Sequence, residues 1–247
     1  MHYKFSQIVV IALGGSIVHP DAIDTKFLKD FKKFLAPFLR SRASLKTGTK
    51  FVLVVGGGKL ARRFQEAAHA VSKLTDEDKD WIGIHATRLN GHLLRTIFRD
   101  VADPVVIDAR GRVAAPKYPV TIAAGWRPGW STDYVAMQLA VDFGAGEAII
   151  AGKPSHVYSR DPSKKSTGRA GRGAKKLPPK KFDRMSWGDY RKLIPRKWKP
   201  GLHAPVDPVA AALGERAGVR AIVIDGRNLK NFASLLNGTD FQGTIIG

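Results

Sequence analysis

The 247 residues contain no cysteine. That excludes a disulfide framework, and it excludes thiolates as nucleophiles or metal ligands. No apolar run approaches the ~20 residues that cross a bilayer. The opening stretch Met1–Val10 is short and strand-like, with Gly14-Gly15-Ser16 close behind it. That is not the layout of a secretory signal. The expectation is a cytosolic protein with no membrane segment. The seven histidines are scattered, with no HExxH or comparable spacing, so no metal site held by the protein itself is expected. No internal repeat is evident. Acidic residues are scarce: 21 Asp+Glu stand against 41 Lys+Arg, a net charge of +20. The excess is uneven, because Arg160–Lys199 alone holds 15 basic and 3 acidic residues. Within it, SKKSTGRAGRGAKKLPPKK (163–181) has almost no apolar residue and reads as an exposed loop inserted between ordered parts.

Hydrophobic residues make up 44% of the chain, ample for a sizeable core. Short Val/Ile-rich runs recur at Ile8–Leu13, Phe51–Val55, Val105–Ile107, Val120–Ala124, Ala148–Ala151 and Ala221–Ile224. They lack polar alternation, the pattern of parallel strands buried on both faces. Between them lie apolar stripes with helical spacing, at Phe27–Phe38, Leu60–Val71 and Leu89–Phe98. Strands alternating with helices predict an α/β sandwich. Several strands end in glycine before a helix, where open α/β sheets bind ligands.

Three of these loops invite a chemical reading. The first strand runs into Gly14-Gly15-Ser16, whose amides could face an anion or simply make a turn. The second loop, Gly56-Gly57-Gly58-Lys59-Leu60-Ala61-Arg62, also follows a strand and opens a helix. Free amides at a helix start, with Lys59 and Arg62 in the first turn, favour phosphate. The Walker spacing is absent. The third loop, Gly125-Trp126-Arg127-Pro128-Gly129-Trp130-Ser131-Thr132-Asp133, ends in helix-capping types, but a cap does not require the aromatic, Arg and Gly residues ahead of it. Two glycine loops on one sheet suggest two phosphate groups facing each other, as phosphoryl transfer requires.

The stretches IALGGSIV, VVGGGKLAR, GIHATRLNGHLL, GWRPGWSTDYVA, VYSRDP, VDPVAA and NGTDFQGTII resemble the amino-acid-kinase superfamily, and within it the archaeal-type UMP kinases. The resemblance runs over nearly the whole chain. It implies one α/β/α sandwich around a mainly parallel eight-stranded sheet. An acceptor half (about 1–145) would precede an ATP half (about 146–247). It also implies transfer of the ATP γ-phosphoryl group to UMP, with Mg²⁺ carried by the nucleotide, in a homo-oligomer that in this family is a hexamer. For ATP it points to Gly15, Ser16, Gly58, Arg62, Lys153, Tyr158, Asp161 and Gly201. For UMP it points to Gly57, to Asp80 at the ribose, and to Trp126, Arg127, Pro128, Gly129, Trp130, Ser131 and Thr132. Lys59, Arg62 and Lys153 are the candidate catalytic cations. The chain also departs from the family. Ala12 stands where many members carry a first-strand lysine, Gly152–His156 replaces the usual Thr-Asn-Val-Asp-Gly, and Trp126 and Trp130 replace smaller or polar residues. Two alternatives follow: a kinase of another small phosphate or carboxylate acceptor, and a non-catalytic nucleotide-binding storage or regulatory protein. The basic segment 163–199 reads first as a solvated loop. Nucleic-acid binding is a further reading of it.

Overall fold

β1 (Ile8–Leu13) is apolar along its length because layers of helix cover both of its faces. The computed structural model describes residues 7–40, 49–160, 162, 178–202 and 204–247. The other strands are β2 (Lys50–Val55), β3 (Val120–Ala123), β4 (Glu147–Gly152), β5 (Val157–Tyr158), β6 (Lys181–Phe182), β7 (Arg184–Met185), β8 (Arg220–Asp225) and β9 (Thr244–Ile246). The helices are α1 (Gly15–Val18), α2 (Thr25–Arg40), α3 (Gly58–Val71), α4 (Asp76–Ile97), α5 (Thr132–Asp142), α6 (Trp187–Leu193), α7 (Pro208–Ala217) and α8 (Leu229–Leu236). Val9, Ile11 and Leu13 face a core filled by Phe27, Phe31 and Leu35 of α2 and Phe232 of α8. Val10 and Ala12 face the opposite core of α5, α6 and α7, with Val135, Leu139, Tyr190 and Ala210. This is a three-layer α/β/α sandwich. The Phe27–Phe38 stripe is thus largely core.

The main sheet runs β3-β2-β1-β4-β8-β9-β7. All its pairings are parallel except β8 with β9. It has seven strands among the described residues, where the resemblance implied eight. Val105–Ile107, expected as a strand, makes only one isolated parallel bridge to β3, Ile107↔Ala123, with a second from Ala102 to Val120 just before it. Between these points Pro104 has no N–H to donate. The Val105 amide is taken by Asp103 Oδ1 at 2.9 Å, so no continuous ladder forms. β5 and β6 make a separate two-stranded ribbon flanking the basic segment. Lys181, counted above with the inserted loop, belongs to β6. Residues 163–177 of that loop and Asp161 lie outside the described residues.

Sheet order reverses at β1, which has β2 on one side and β4 on the other. The carboxyl ends of such neighbouring strands open a crevice for ligands. The loops after β1, β2, β3 and β4 are all candidates to line it.

Candidate active site

The first two glycine loops pack backbone against backbone. A Cβ on Gly15 would lie 2.1 Å from the Gly58 amide nitrogen, and one on Gly56 would lie 2.6 Å from the Gly15 nitrogen. Gly58 has φ +65°, and a Cβ there would sit 2.3 Å from the Gly15 carbonyl oxygen. So the glycine run answers to close packing of two turns as well as to any ligand. Neighbouring bonds hold the pair in place. The Gly14 amide donates to Ala151 O at 2.9 Å, and the Lys59 amide donates to His19 O at 2.9 Å. Buried Asn90 of α4 donates to Gly56 O at 2.8 Å and Gly57 O at 3.3 Å.

α3 therefore begins in a fixed place, yet no side chain caps it. Gly57 is the cap residue with no side-chain cap, and no acidic residue lies in the first turn. Lys59 is there instead, with Arg62 just beyond. Cations at the positive end of a helix dipole are unfavourable without an anion between them. A phosphate group supplies that anion. Among the described residues no ion pair engages Lys59, Arg62 or Lys153. Lys153 is exposed at the carboxyl end of β4. Its neighbour Gly152 has its Cα 3.5 Å from where a Gly14 Cβ would be, so it lies beside the first loop.

The third loop is built on α4. The Gly125 amide donates to Thr87 Oγ1 at 2.7 Å, and that hydroxyl donates to Ile84 O at 2.6 Å. Trp126 is buried, and its indole N–H donates to Ile107 O at 3.2 Å. It anchors the loop's base rather than offering a ring face. Arg127-Pro128-Gly129-Trp130 forms a turn closed by Trp130 N–H to Arg127 O at 3.3 Å. Gly129 has φ +80°, as the third position of a type II turn requires. The Arg127 guanidinium lies 4.2 Å from the Trp130 ring centroid, and Trp130 packs on Tyr134 at 4.6 Å. Asp80 Oδ2 accepts from the Gly129 amide at 2.7 Å and from the Trp198 indole N–H at 3.5 Å. So Asp80, expected at a ribose, also ties down the loop expected to wrap the base.

Ser131 and Thr132 open α5. Ser131 is its cap, accepting from the Tyr134 amide at 3.0 Å. The Ser131 hydroxyl also donates to Asp207 Oδ2. Asp207 in turn caps α7, accepting from the amides of Val209 and Ala210 at 2.8 and 3.1 Å. The N-termini of α5 and α7 thus meet through one hydroxyl. Burial raises the Asp207 pKa, while the Ser131 bond opposes the rise. Although Asp133 keeps some exposed surface, the protein packed around its carboxyl and the charge of Asp207 push its pKa up to about 8.

Tyr158 OH lies 3.2 Å from Ser155 Oγ. His156, in the departed stretch, is buried, and desolvation lowers its pKa. Gly201 has φ +78° and nothing within 4 Å of a would-be Cβ. Contacts given above join the Gly15 and Gly56–Gly58 loops, and separately join Asp80 to the Gly129 turn. None joins Tyr158 or Gly201 to them. Asn90, Thr87, Asp133 and Trp198 were not among the site residues expected from sequence. Asn90 and Thr87 had one visible signal, a polar residue on the inner side of a helix otherwise lined by Ile84, Ala86 and Leu94. Among the described residues no group of three or more His, Asp or Glu side chains is placed to hold a metal ion.

The profile of the amino acid kinase family matches residues 7–112. The uridylate kinase of Methanocorpusculum labreanum is 32% identical over 242 residues, covering 97% of this chain and 95% of its own length. The chain belongs to the uridylate kinases. The uridylate kinase of Methanothrix thermoacetophila is 34% identical, covering 97% of this chain and 99% of its own. The crystal structure of uridylate kinase from Archaeoglobus fulgidus superposes with a TM-score of 0.70 at 27% identity, over 98% of this chain and 100% of that one.

Proposed function

We propose that this protein transfers the γ-phosphoryl group of ATP to UMP, giving UDP and ADP. The observation that carries the reading is the α3 start without a side-chain cap or acidic residue, flanked by Lys59 and Arg62 and packed on the Gly15 turn, in a chain similar to uridylate kinases over its length. The acceptor phosphate is already an anion at neutral pH, so no general base is needed. Catalysis is alignment and charge neutralisation. Lys59 and Arg62 draw the two phosphate chains together, and Lys153 adds charge from the end of β4. The amides of Gly15, Ser16, Gly57 and Gly58 orient phosphoryl oxygens. Asp80 receives a ribose hydroxyl, while the Arg127–Thr132 turn encloses the acceptor. Tyr158 and Gly201 line the donor side, and Mg²⁺ arrives with ATP. A cytoplasmic setting goes with these substrates. No helix among the described residues is long and apolar enough to cross a membrane.

Coupled ADP release with a panel of nucleoside monophosphates tests this. UMP should be the preferred acceptor, and Arg62→Ala should lose at least ~10²-fold in kcat/KM. ATP binding without acceptor-dependent turnover would instead mark a storage or regulatory protein. We also assign Phe64 and Val71 of α3 with Trp81 and Leu89 of α4 to a contact between copies of the chain. All four are exposed, on two helices that pack together, and exposed apolar clusters mark interaction surfaces. Phe64→Glu should lower the mass seen by sedimentation; an unchanged mass would contradict the assignment.

A further inference from the structure

A second turn is built like the acceptor turn. Lys199-Pro200-Gly201-Leu202 closes through Leu202 N–H to Lys199 O at 3.1 Å, with φ +78° at Gly201. Arg127-Pro128-Gly129-Trp130 has the same cation-Pro-Gly order and φ +80° at its glycine. The chain bearing the second turn leaves α6 and returns at Val206. There Tyr190 OH donates to Val206 O at 2.6 Å and accepts from Val206 N at 2.7 Å. This pair of hydrogen bonds holds the two ends in register, and Tyr190 itself is fully buried. From this clamped base Trp198 reaches across to Asp80, 118 residues away in sequence.

We propose that Trp198 is a positioning residue for the acceptor, its indole N–H fixing the Asp80 carboxylate together with the Gly129 amide and tying the acceptor side to the C-terminal half. This rests on the reading of Asp80 as a ribose ligand. An ionised carboxylate offers about four acceptor directions, and indole is a donor only. Two N–H donors on Oδ2 stop the carboxylate from turning and leave Oδ1 as the oxygen for a sugar hydroxyl. Both donors come from outside α4, so the orientation of Asp80 reports whether the acceptor turn and the Trp198 segment are in place together. Gly201, expected at the donor nucleotide, is three residues from Trp198 on the same segment. Binding on either side is thereby coupled through one short stretch of chain.

Trp198→Phe keeps the ring and removes the donor. The expected result is a rise in UMP KM of roughly two- to tenfold, the net worth of one ordinary hydrogen bond, since the contact is long at 3.5 Å, with kcat within about twofold. In an Asp80→Ala background the same substitution should add nothing, because its partner is already gone. An unchanged UMP KM, or full additivity with Asp80→Ala, overturns the proposal. Wild-type protein that turned over no nucleoside monophosphate would sink the kinase reading, and the Trp198–Asp80 latch would then be judged separately by trypsin. Lys197 is exposed next to Trp198. Both Trp198→Phe and Asp80→Ala should speed cleavage after Lys197, followed by mass spectrometry. Equal cleavage in all three proteins would show that no latch exists.

Discussion

Gly15→Ala perturbs the site at its tightest point. The new methyl group would sit 2.1 Å from Gly58 N, 2.5 Å from Gly56 C and 2.7 Å from Gly56 O, all of them backbone atoms. Backbone cannot rotate away as a side chain does, and each turn is tied behind by bonds to Ala151, His19 and Asn90. To restore ordinary contact the turns must part by about 1 Å, and a misplacement of that size costs on the order of 10²-fold in rate. Overpacking of this kind also costs about 1–3 kcal/mol, a Tm fall of several degrees for a chain this long. The assay is steady-state ADP release with UMP, paired with a thermal melt. Gly218→Ala is the control. Gly218 ends α7 at φ +66° with open space around it, so it should lose about 1 kcal/mol of stability and no activity. A Gly15→Ala enzyme within threefold of wild-type kcat/KM would refute the claim that the turns are held in contact.

Asn90→Ala strips the donor from two carbonyls in the glycine loop. It should cost about 1–3 kcal/mol in urea unfolding and lower kcat, whereas a merely structural Asn90 would leave kcat intact. Ser131→Ala removes the α5 cap and a donor to buried Asp207. A loss of about 2 kcal/mol is expected by denaturant titration, and a loss below 0.5 kcal/mol would contradict the shared-cap arrangement. Asp133 makes stability depend on pH. Below its ordinary value of 3.8 the carboxyl is protonated whether folded or unfolded, but between that and about 8 only the unfolded chain releases the proton. Stability therefore falls as pH rises through this window and levels off above it. Asp133→Asn should flatten the fall, and melts at pH 5 and pH 8.5 that show equal slopes in the two proteins would disprove it.

Strand–helix alternation, the sandwich class and the three glycine-bearing loops were legible in the chain because they rest on local rules. A doubly buried strand is apolar through its interior, as β1 is, β2 after Lys50 and β4 after Glu147, and Asp207-Pro208 announces a helix start by cap chemistry alone. The short strands β5, β6, β7 and β9 were not legible. Two or three residues carry no period, and pairing is decided by which neighbour lies alongside. The expected strand at Val105–Ile107 failed for a reason visible in Pro104, but only the position of β3 shows what its missing donor interrupts.

Alone, the sequence determined residue chemistry: amides without side chains, cations one turn into a helix, a carboxylate ahead of an apolar stretch. Tertiary structure decided which of these meet. It set Gly15 against Gly58, put Asn90 beneath their loop, turned Trp126 inward, and joined Asp80 to Trp198 across the molecule. The physical reason is range. Backbone preference and capping act over a few residues, whereas steric exclusion and hydrogen bonding act between any groups the fold brings within contact distance.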